Sequence, residues 1–209
     1  MTLRLYDYAA SGNCYKVRLL LGLLGREYER VPVDIFGGDT LTDEYAAINP
    51  VRETPVLELE SGERIAQSPA ILWYLAEDTP FLPPDRVERA HVLQWLAFEQ
   101  ERVMVGIGGT RFRRLTGRPQ VEGRFALGEQ TLALLDTELS ERDWLVGGRC
   151  TIADVAVFGY GHVAGDAGLA PGLGVRAWIE RLRSLPGFVA DLAPYPANAR
   201  AGTGRSIYD

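Results

Sequence analysis

The hydrophobic pattern of this 209-residue chain changes character once, at Asp78-Thr79-Pro80-Phe81-Leu82-Pro83-Pro84, and that break limits what the chain can fold into. Three prolines within five residues stop helices and stiffen a connection. Before the break, short strand-like runs alternate with helical ones. After it the strand signals vanish. Two domains are therefore expected, residues 1–78 and 86–209, joined by a connection over 79–85.

In the first part, Leu3–Tyr6 reads as a strand and Asn13–Leu24 as a helix stopped by Gly25, because glycine takes the left-handed turn that ends helices. Tyr28–Val33 is a second strand. Thr42–Ile48 is a short helix halted at Asn49-Pro50, since proline restricts the residue before it. Val56–Leu59 and Arg64–Ala66 form a hairpin across Glu60-Ser61-Gly62-Glu63. Ser68 caps the next helix, with Pro69 in its first turn, where a missing N–H does no harm. Strand–helix–strand with a right-handed crossover is parallel, and the short turn makes the following pair antiparallel. The expected fold is an α/β thioredoxin-like domain with a mixed four-stranded sheet, followed by an all-α helical bundle.

In the second part, Arg86–Val105 and Val121–Leu139 are helix-periodic, with Phe125, Gly128, Leu132, Leu135 and Leu139 on one stripe. Gly106, Gly108 and Gly109 predict a kink or an end near 106–109, as each glycine costs a helix roughly 1 kcal/mol against alanine. Thr151-Ile152-Ala153-Asp154 has the form of a capping box and starts a buried helix expected to run from Ile152 to Gly168. Val175–Ser184 is the last clear helix, and another is allowed from Pro186.

A net charge of −6 argues against nonspecific nucleic-acid binding. Locally, Arg111, Arg113, Arg114 and Arg118 form a basic cluster that suits either a small anion or pairing within the chain. Two cysteines, Cys14 and Cys150, and two histidines, His91 and His162, cannot assemble a Cys/His metal site. Met1-Thr2-Leu3-Arg4 has no signal-peptide run, and no window is long and apolar enough to span a bilayer. The expected location is the cytoplasm, with no membrane partner.

Chemistry concentrates at Ser11-Gly12-Asn13-Cys14-Tyr15-Lys16-Val17-Arg18. A strand feeding a helix through a small polar loop leaves N–H groups pointing outward, which makes an anion site. Ser11 and Cys14 have the spacing of a C-x-x-C redox motif whose first cysteine is serine. Such a serine cannot form a disulfide, but it can donate a hydrogen bond to a thiolate supplied by a thiol cofactor. Tyr8 and Tyr15 are rival donors. Cys14 reads first as a small buried apolar residue and second as a nucleophile. Thr54, before Pro55 at a strand start, and Gln67-Ser68, at a strand-to-helix junction, offer two more polar loops. Three such loops suit one peptide-like ligand that carries a carboxylate and a thiol.

These stretches together resemble a cytosolic glutathione S-transferase of the bacterial kind. The resemblance rests on S-G-N-C-Y-K-V-R, N-P-x-x-x-T-P-V-L from Asn49, Q-S-P-A-I-L from Gln67 and T-I-A-D from Thr151, with the C-terminal P-Y-P-A-N-A-R-A-G-T-G-R-S-I-Y-D in support. It implies glutathione as co-substrate, no metal, a small electrophile and a homodimer. Ser11 would meet the glutathione sulfur, and Thr54, beside a cis Pro55, would pair with the cysteinyl backbone. Gln67 and Ser68 would hold the γ-glutamyl end, Arg52 the glycyl carboxylate, and Asn13 would lie in the same site. Tyr8, Ala10, Met104, Arg111 and Phe112 are the expected walls of an electrophile pocket. Gln67 stands where the family often has an acid, and Thr54 where valine is common. The alternatives are a glutathione-dependent thiol oxidoreductase using Cys14 and a non-catalytic glutathione-binding module.

Overall fold

Four short strands and three helices build the N-terminal part of the computed structural model, which describes residues 2–208. They run β1 (Arg4–Asp7), α1 (Gly12–Leu23), β2 (Glu29–Pro32), α2 (Asp43–Ile48), β3 (Val56–Glu58), β4 (Arg64–Ala66) and α3 (Ser68–Ala76). The sheet order is β2-β1-β3-β4, with β1 and β2 parallel and the other two pairings antiparallel. This is the mixed thioredoxin-like sheet that the pattern predicted. Ser11 caps α1, its Oγ accepting the Cys14 N–H at 3.3 Å, and Gly25 ends the helix at a φ of 61°. Thr42 caps α2 in the same way through the Tyr45 N–H. α1 is buried along Cys14, Tyr15, Val17, Leu19, Leu20 and Leu21, and Tyr6, Val33, Tyr45 and Val56 form a second cluster.

Contacts divide the chain into two units, and the division corrects one expectation. The residues from Val189 onward pack with those up to Leu75, while Ala76–Phe188 form the second unit. The residues from Val189 onward therefore do not belong to the helical part. They form a tail tied to the first unit by hydrogen bonds from the Tyr15 hydroxyl to the Val189 carbonyl at 2.7 Å, from the Ala193 N–H to the Ala9 carbonyl at 3.1 Å and from the Arg205 N–H to the Phe36 carbonyl at 2.8 Å. The helix allowed from Pro186 does not form. Gly187 sits at a φ of 81°, Pro194 and Pro196 follow, and only a 3-10 turn at Ala197–Ala199 appears.

The second unit contains α4 (Arg86–Phe98), α5 (Gly109–Thr116), α6 (Arg124–Glu141), α7 (Ile152–Gly161) and α8 (Leu173–Arg183). Asp85 caps α4 by accepting the Val87 and Glu88 N–H groups at 2.9 and 3.0 Å. The chain stays helical through the glycines, and only its winding changes, at Gly108–Gly109. Glu99–Gly108 is wound as a π-helix that joins α4 to α5 without a break. The glycines serve packing instead: a Cβ on Gly106 would lie 2.7 Å from the Gly128 main-chain nitrogen, and one on Gly108 would lie 2.9 Å from the Tyr160 ring. Gly128 thus belongs to the α6 stripe because it admits a neighbouring helix, whereas Phe125 is exposed.

Every residue of α7 is buried, and Thr151 with Asp154 forms the capping box. The helix is shorter than expected. It stops at Gly161, and a 3-10 turn over Ala164–Ala167 ends at Gly168 with a φ of 83°. His162 stacks on Phe158, centroids 4.5 Å apart, and its Nδ1 lies 2.5 Å from the Phe158 carbonyl. Partial burial lowers the His162 pKa from 6.5 to about 4, so the ring is neutral in the folded protein. The unfolded chain then binds the extra proton between these values, and stability is lost as pH falls from 6.5 toward 4. Urea unfolding should show the parent losing up to about 3 kcal/mol over that window relative to a His162→Phe variant. Parallel pH profiles for the two proteins would refute the assignment.

Candidate functional site

Register brings three loops to one edge of the sheet. Tyr6 pairs with Val56, and Val56 with Ala66. The chain just past β1 (residues 8–11), just before β3 (Thr54-Pro55) and just past β4 (Gln67-Ser68) therefore emerges side by side. The Thr54–Pro55 peptide is cis. Among the described residues, neither the N–H nor the C=O of Thr54 takes part in a turn or loop backbone hydrogen bond.

Ser11 and Thr54 converge on Cys14. Its thiol is wholly buried and accepts the Tyr8 N–H at 3.4 Å, and the side chains of Thr54 and Ser11 also hydrogen-bond it. Burial pushes the thiol up to about 11, with the Asp7 carboxylate adding to the shift and the three hydrogen bonds opposing it. Cys14 is thus a protonated packing residue at neutral pH. Ser11 stands partly exposed above it.

The other expected residues are placed as follows. The Asn13 side-chain oxygen accepts the Lys16 ammonium at 2.8 Å. Arg52, at a φ of 62°, donates to the Thr40 and Thr42 carbonyls at 3.0 and 2.8 Å and pairs with Asp43, so its guanidinium braces that turn. Gln67 takes a φ of 71° and its carbonyl accepts the Ile71 N–H. The cap position is therefore Gln67, one residue earlier than expected, and the nearly buried Ser68 is the first helical residue. Tyr15 spends its hydroxyl on the tail and is not a free donor.

The five expected pocket residues divide between the units. In the first, Ala10 is buried, and Tyr8 is buried with its ring edge-on to Phe36 at 5.8 Å. In the second, Met104 lies in the π-wound stretch, Arg111 pairs with Asp166 at 3.0 Å, and Arg118 sits 5.0 Å over the Phe112 ring. Arg113 donates to the Pro119 carbonyl at 2.6 Å. Of the two readings of the basic cluster, pairing within the chain is the one these contacts match. Among the described residues no group of three or more His, Cys, Asp or Glu could hold a metal ion, and no helix is long and apolar enough to cross a membrane.

One feature beneath the loops has no local sequence signal. Arg18 is fully buried and pairs with the buried Asp7, while its Nε lies 2.9 Å from both carboxylate oxygens of Asp191 in the tail. Arg30 also holds Asp7. The partners of Arg18 lie 11 and 173 residues away.

Comparison with known proteins places these features in context. Residues 10–78 match the family description "Glutathione S-transferase, N-terminal domain", and residues 117–186 match "Glutathione S-transferase, C-terminal domain". The chain is 31% identical to a maleylacetoacetate isomerase of Pseudomonas aeruginosa, over 95% of each chain. It is 43% identical to a maleylacetoacetate isomerase of Rhizobium meliloti over 91 residues, 42% of each chain. It is also similar to a solved glutathione S-transferase of Pseudomonas fluorescens, with a TM-score of 0.87 and 39% identity, covering 92% of this chain and all of the other.

Proposed function

Since the chain belongs to the glutathione S-transferase family, we propose that it binds glutathione at the three-loop edge and adds its thiolate to a small electrophile. The observation that carries this reading is the state of Cys14. The chain's own sulfur is buried and protonated, while hydroxyls from Ser11 and Thr54 stand beside it. A nucleophile then has to come from outside, and the same burial speaks against a redox role for Cys14.

A free thiol with a pKa near about 8.5 is only a few per cent thiolate at neutral pH. Ser11 Oγ accepts the Cys14 N–H, and its O–H would turn from the Cys14 sulfur to donate to the glutathione sulfur. The N-terminus of α1 adds a positive end beneath it. Thr54 would pair with the cysteinyl backbone through its N–H and C=O, and Gln67 and Ser68 would hold the γ-glutamyl end. With Arg52 bracing its turn, the glycyl carboxylate would be met at the edge of that guanidinium.

Relatives named maleylacetoacetate isomerase favour one form of this chemistry. The thiolate adds to a conjugated double bond, the resulting single bond rotates, and elimination expels the same thiolate. The test compares maleylacetoacetate with an aryl halide such as 1-chloro-2,4-dinitrobenzene, each with glutathione. Turnover of the first with glutathione unconsumed gives isomerisation, and adduct from the second gives conjugation. Glutathione binding without turnover of either would leave a binding module and overturn the proposal.

Replacing Ser11 by alanine should lower kcat/KM by about 10- to 1000-fold, the range for losing one preorganised donor. Ser11→Thr, which keeps a hydroxyl, should retain most of the rate. The midpoint of the bound thiol's ultraviolet titration should rise in the alanine variant alone. Parent-like turnover in that variant would remove Ser11 from the chemistry.

The protein would work in the cytoplasm as a two-fold homodimer. Val87, Ala90, Leu93 and Ala97 form an exposed apolar stripe along α4, which supports self-association. Light scattering at micromolar concentration should give twice the monomer mass, and a stable monomer would refute the assembly.

A further inference from the structure

The far end of the tail returns to the three-loop edge, within the first unit alone. The Arg205 N–H donates to the Phe36 carbonyl at 2.8 Å, and Ser206 Oγ accepts the Tyr208 N–H at 3.1 Å. Glycine precedes this crossing because a Cβ on Gly204 would lie 2.7 Å from the Phe36 carbonyl oxygen. The Tyr208 ring then stands 6.3 Å from the Phe36 ring, which in turn packs edge-on against Tyr8 in the loop after β1.

Its neighbours show which way the hydroxyl is directed. Glu53, Cys14 and Tyr195 act on it electrostatically. Tyr208 and Cys14 both act in the same way on Tyr45, whose hydroxyl donates to the Glu53 carbonyl at 3.0 Å. Glu53 directly precedes Thr54, and the Thr54 side chain hydrogen-bonds Cys14. These groups surround Thr54, so the Tyr208 hydroxyl is turned toward the cis peptide although the residue is 48% exposed as a whole. Burial of that end, with Glu53 and Cys14 adding to it, pushes the Tyr208 pKa up to about 12, and the group stays a donor at neutral pH. The ring borders the edge without filling it. Ser11 and Thr54 remain partly exposed and Gln67 exposed with Tyr208 in place, whereas a plug would bury them.

We propose that Tyr208 is a contact residue of the glutathione site, its ring closing the side between Phe36 and Glu53 and its hydroxyl donating to a peptide carbonyl of the bound tripeptide. This rests on the reading of the three-loop edge as that site. An uncharged acceptor fits, because the Glu53 carboxylate disfavours either carboxylate of glutathione beside the hydroxyl. The sulfur stays with Ser11, so Tyr208 acts on affinity and leaves thiolate reactivity alone.

The test measures glutathione binding by calorimetry to the parent, Tyr208→Phe and Tyr208→Ala. Phenylalanine keeps the ring and removes the donor, and it should weaken binding about two- to tenfold, the loss of one neutral hydrogen bond. Alanine removes the wall as well and should weaken it further. In the assay that the parent turns over, KM for glutathione should rise in step while kcat at saturating glutathione stays at the parent value. If alanine loosens the tail by near-ultraviolet circular dichroism, the phenylalanine variant decides. Unchanged affinity in Tyr208→Phe, tighter binding in either folded variant, or a fall in kcat with unchanged affinity would each overturn the proposal. A parent that binds glutathione while its variants match it removes only Tyr208 from the site, whereas a parent that binds none overturns the site itself.

Discussion

Replacing Asp154 by alanine should destabilise the protein by about 3–5 kcal/mol, well beyond the 0.5–2 kcal/mol of an ordinary helix cap. The wholly buried carboxylate does more than close the capping box. It accepts the Thr151 and Leu145 main-chain N–H groups and the Trp178 indole N–H, each at 3.0 Å. Alanine would strand all three donors where water cannot reach, and each stranded donor costs about 1–3 kcal/mol. Burial pushes the carboxyl up to about 6, so unfolding is best measured at pH 7.5, where Asp154 is ionised. Thr151→Ala should cost only about 1–2 kcal/mol, as for a cap alone. Equal losses in the two variants would show that the Leu145 and Trp178 bonds carry no weight. Activity per folded molecule should be unchanged in both.

A loss of similar size, about 3–5 kcal/mol, is expected for Arg18→Met, because it leaves a buried carboxylate short of its counter-charge. Asp7 has no exposed side-chain surface and would keep only Arg30. Asp191 is one-third exposed and can turn to water, so it should contribute less. The double variant Arg18→Met, Asp7→Asn should recover a large part of the loss, because the cost comes from the stranded charge more than from the lost attraction. Urea unfolding of the two singles and the double measures this coupling. Additive losses would mean that the pair is not one unit.

What could be read from the sequence was whatever has a local cause. Ser11, Thr42, Thr151 and Asp154 announce helix starts through their own side chains, Gly25 announces a stop, and hairpin length fixes antiparallel pairing. The candidate site was legible for the same reason. Ser11, Thr54, Gln67 and Ser68 sit at element ends, and the order of elements sends those ends to one edge. What the sequence hid was non-local. No periodicity distinguishes Arg18, buried with its charge, from the exposed Arg26. Gly106 and Gly108 lie against Gly128 and Tyr160, far along the chain, so three glycines read as a break when they permit close approach. The tail reads as part of the helical half because its partners are Tyr15, Ala9 and Phe36, far back along the chain.

The crossing of Gly106 with Gly128 also sets the order in which this protein can change over evolutionary time. A methyl group at Gly106 would meet the Gly128 nitrogen at 2.7 Å, and one at Gly128 would meet Leu169 at 2.7 Å and the Gly106 carbonyl at 3.1 Å. Main chain cannot step aside as a flexible side chain does, so neither position tolerates enlargement while its neighbour stays fixed. Descendants of this sequence should therefore keep both glycines. Drift on the exposed faces of the same two helices is free of any such linkage.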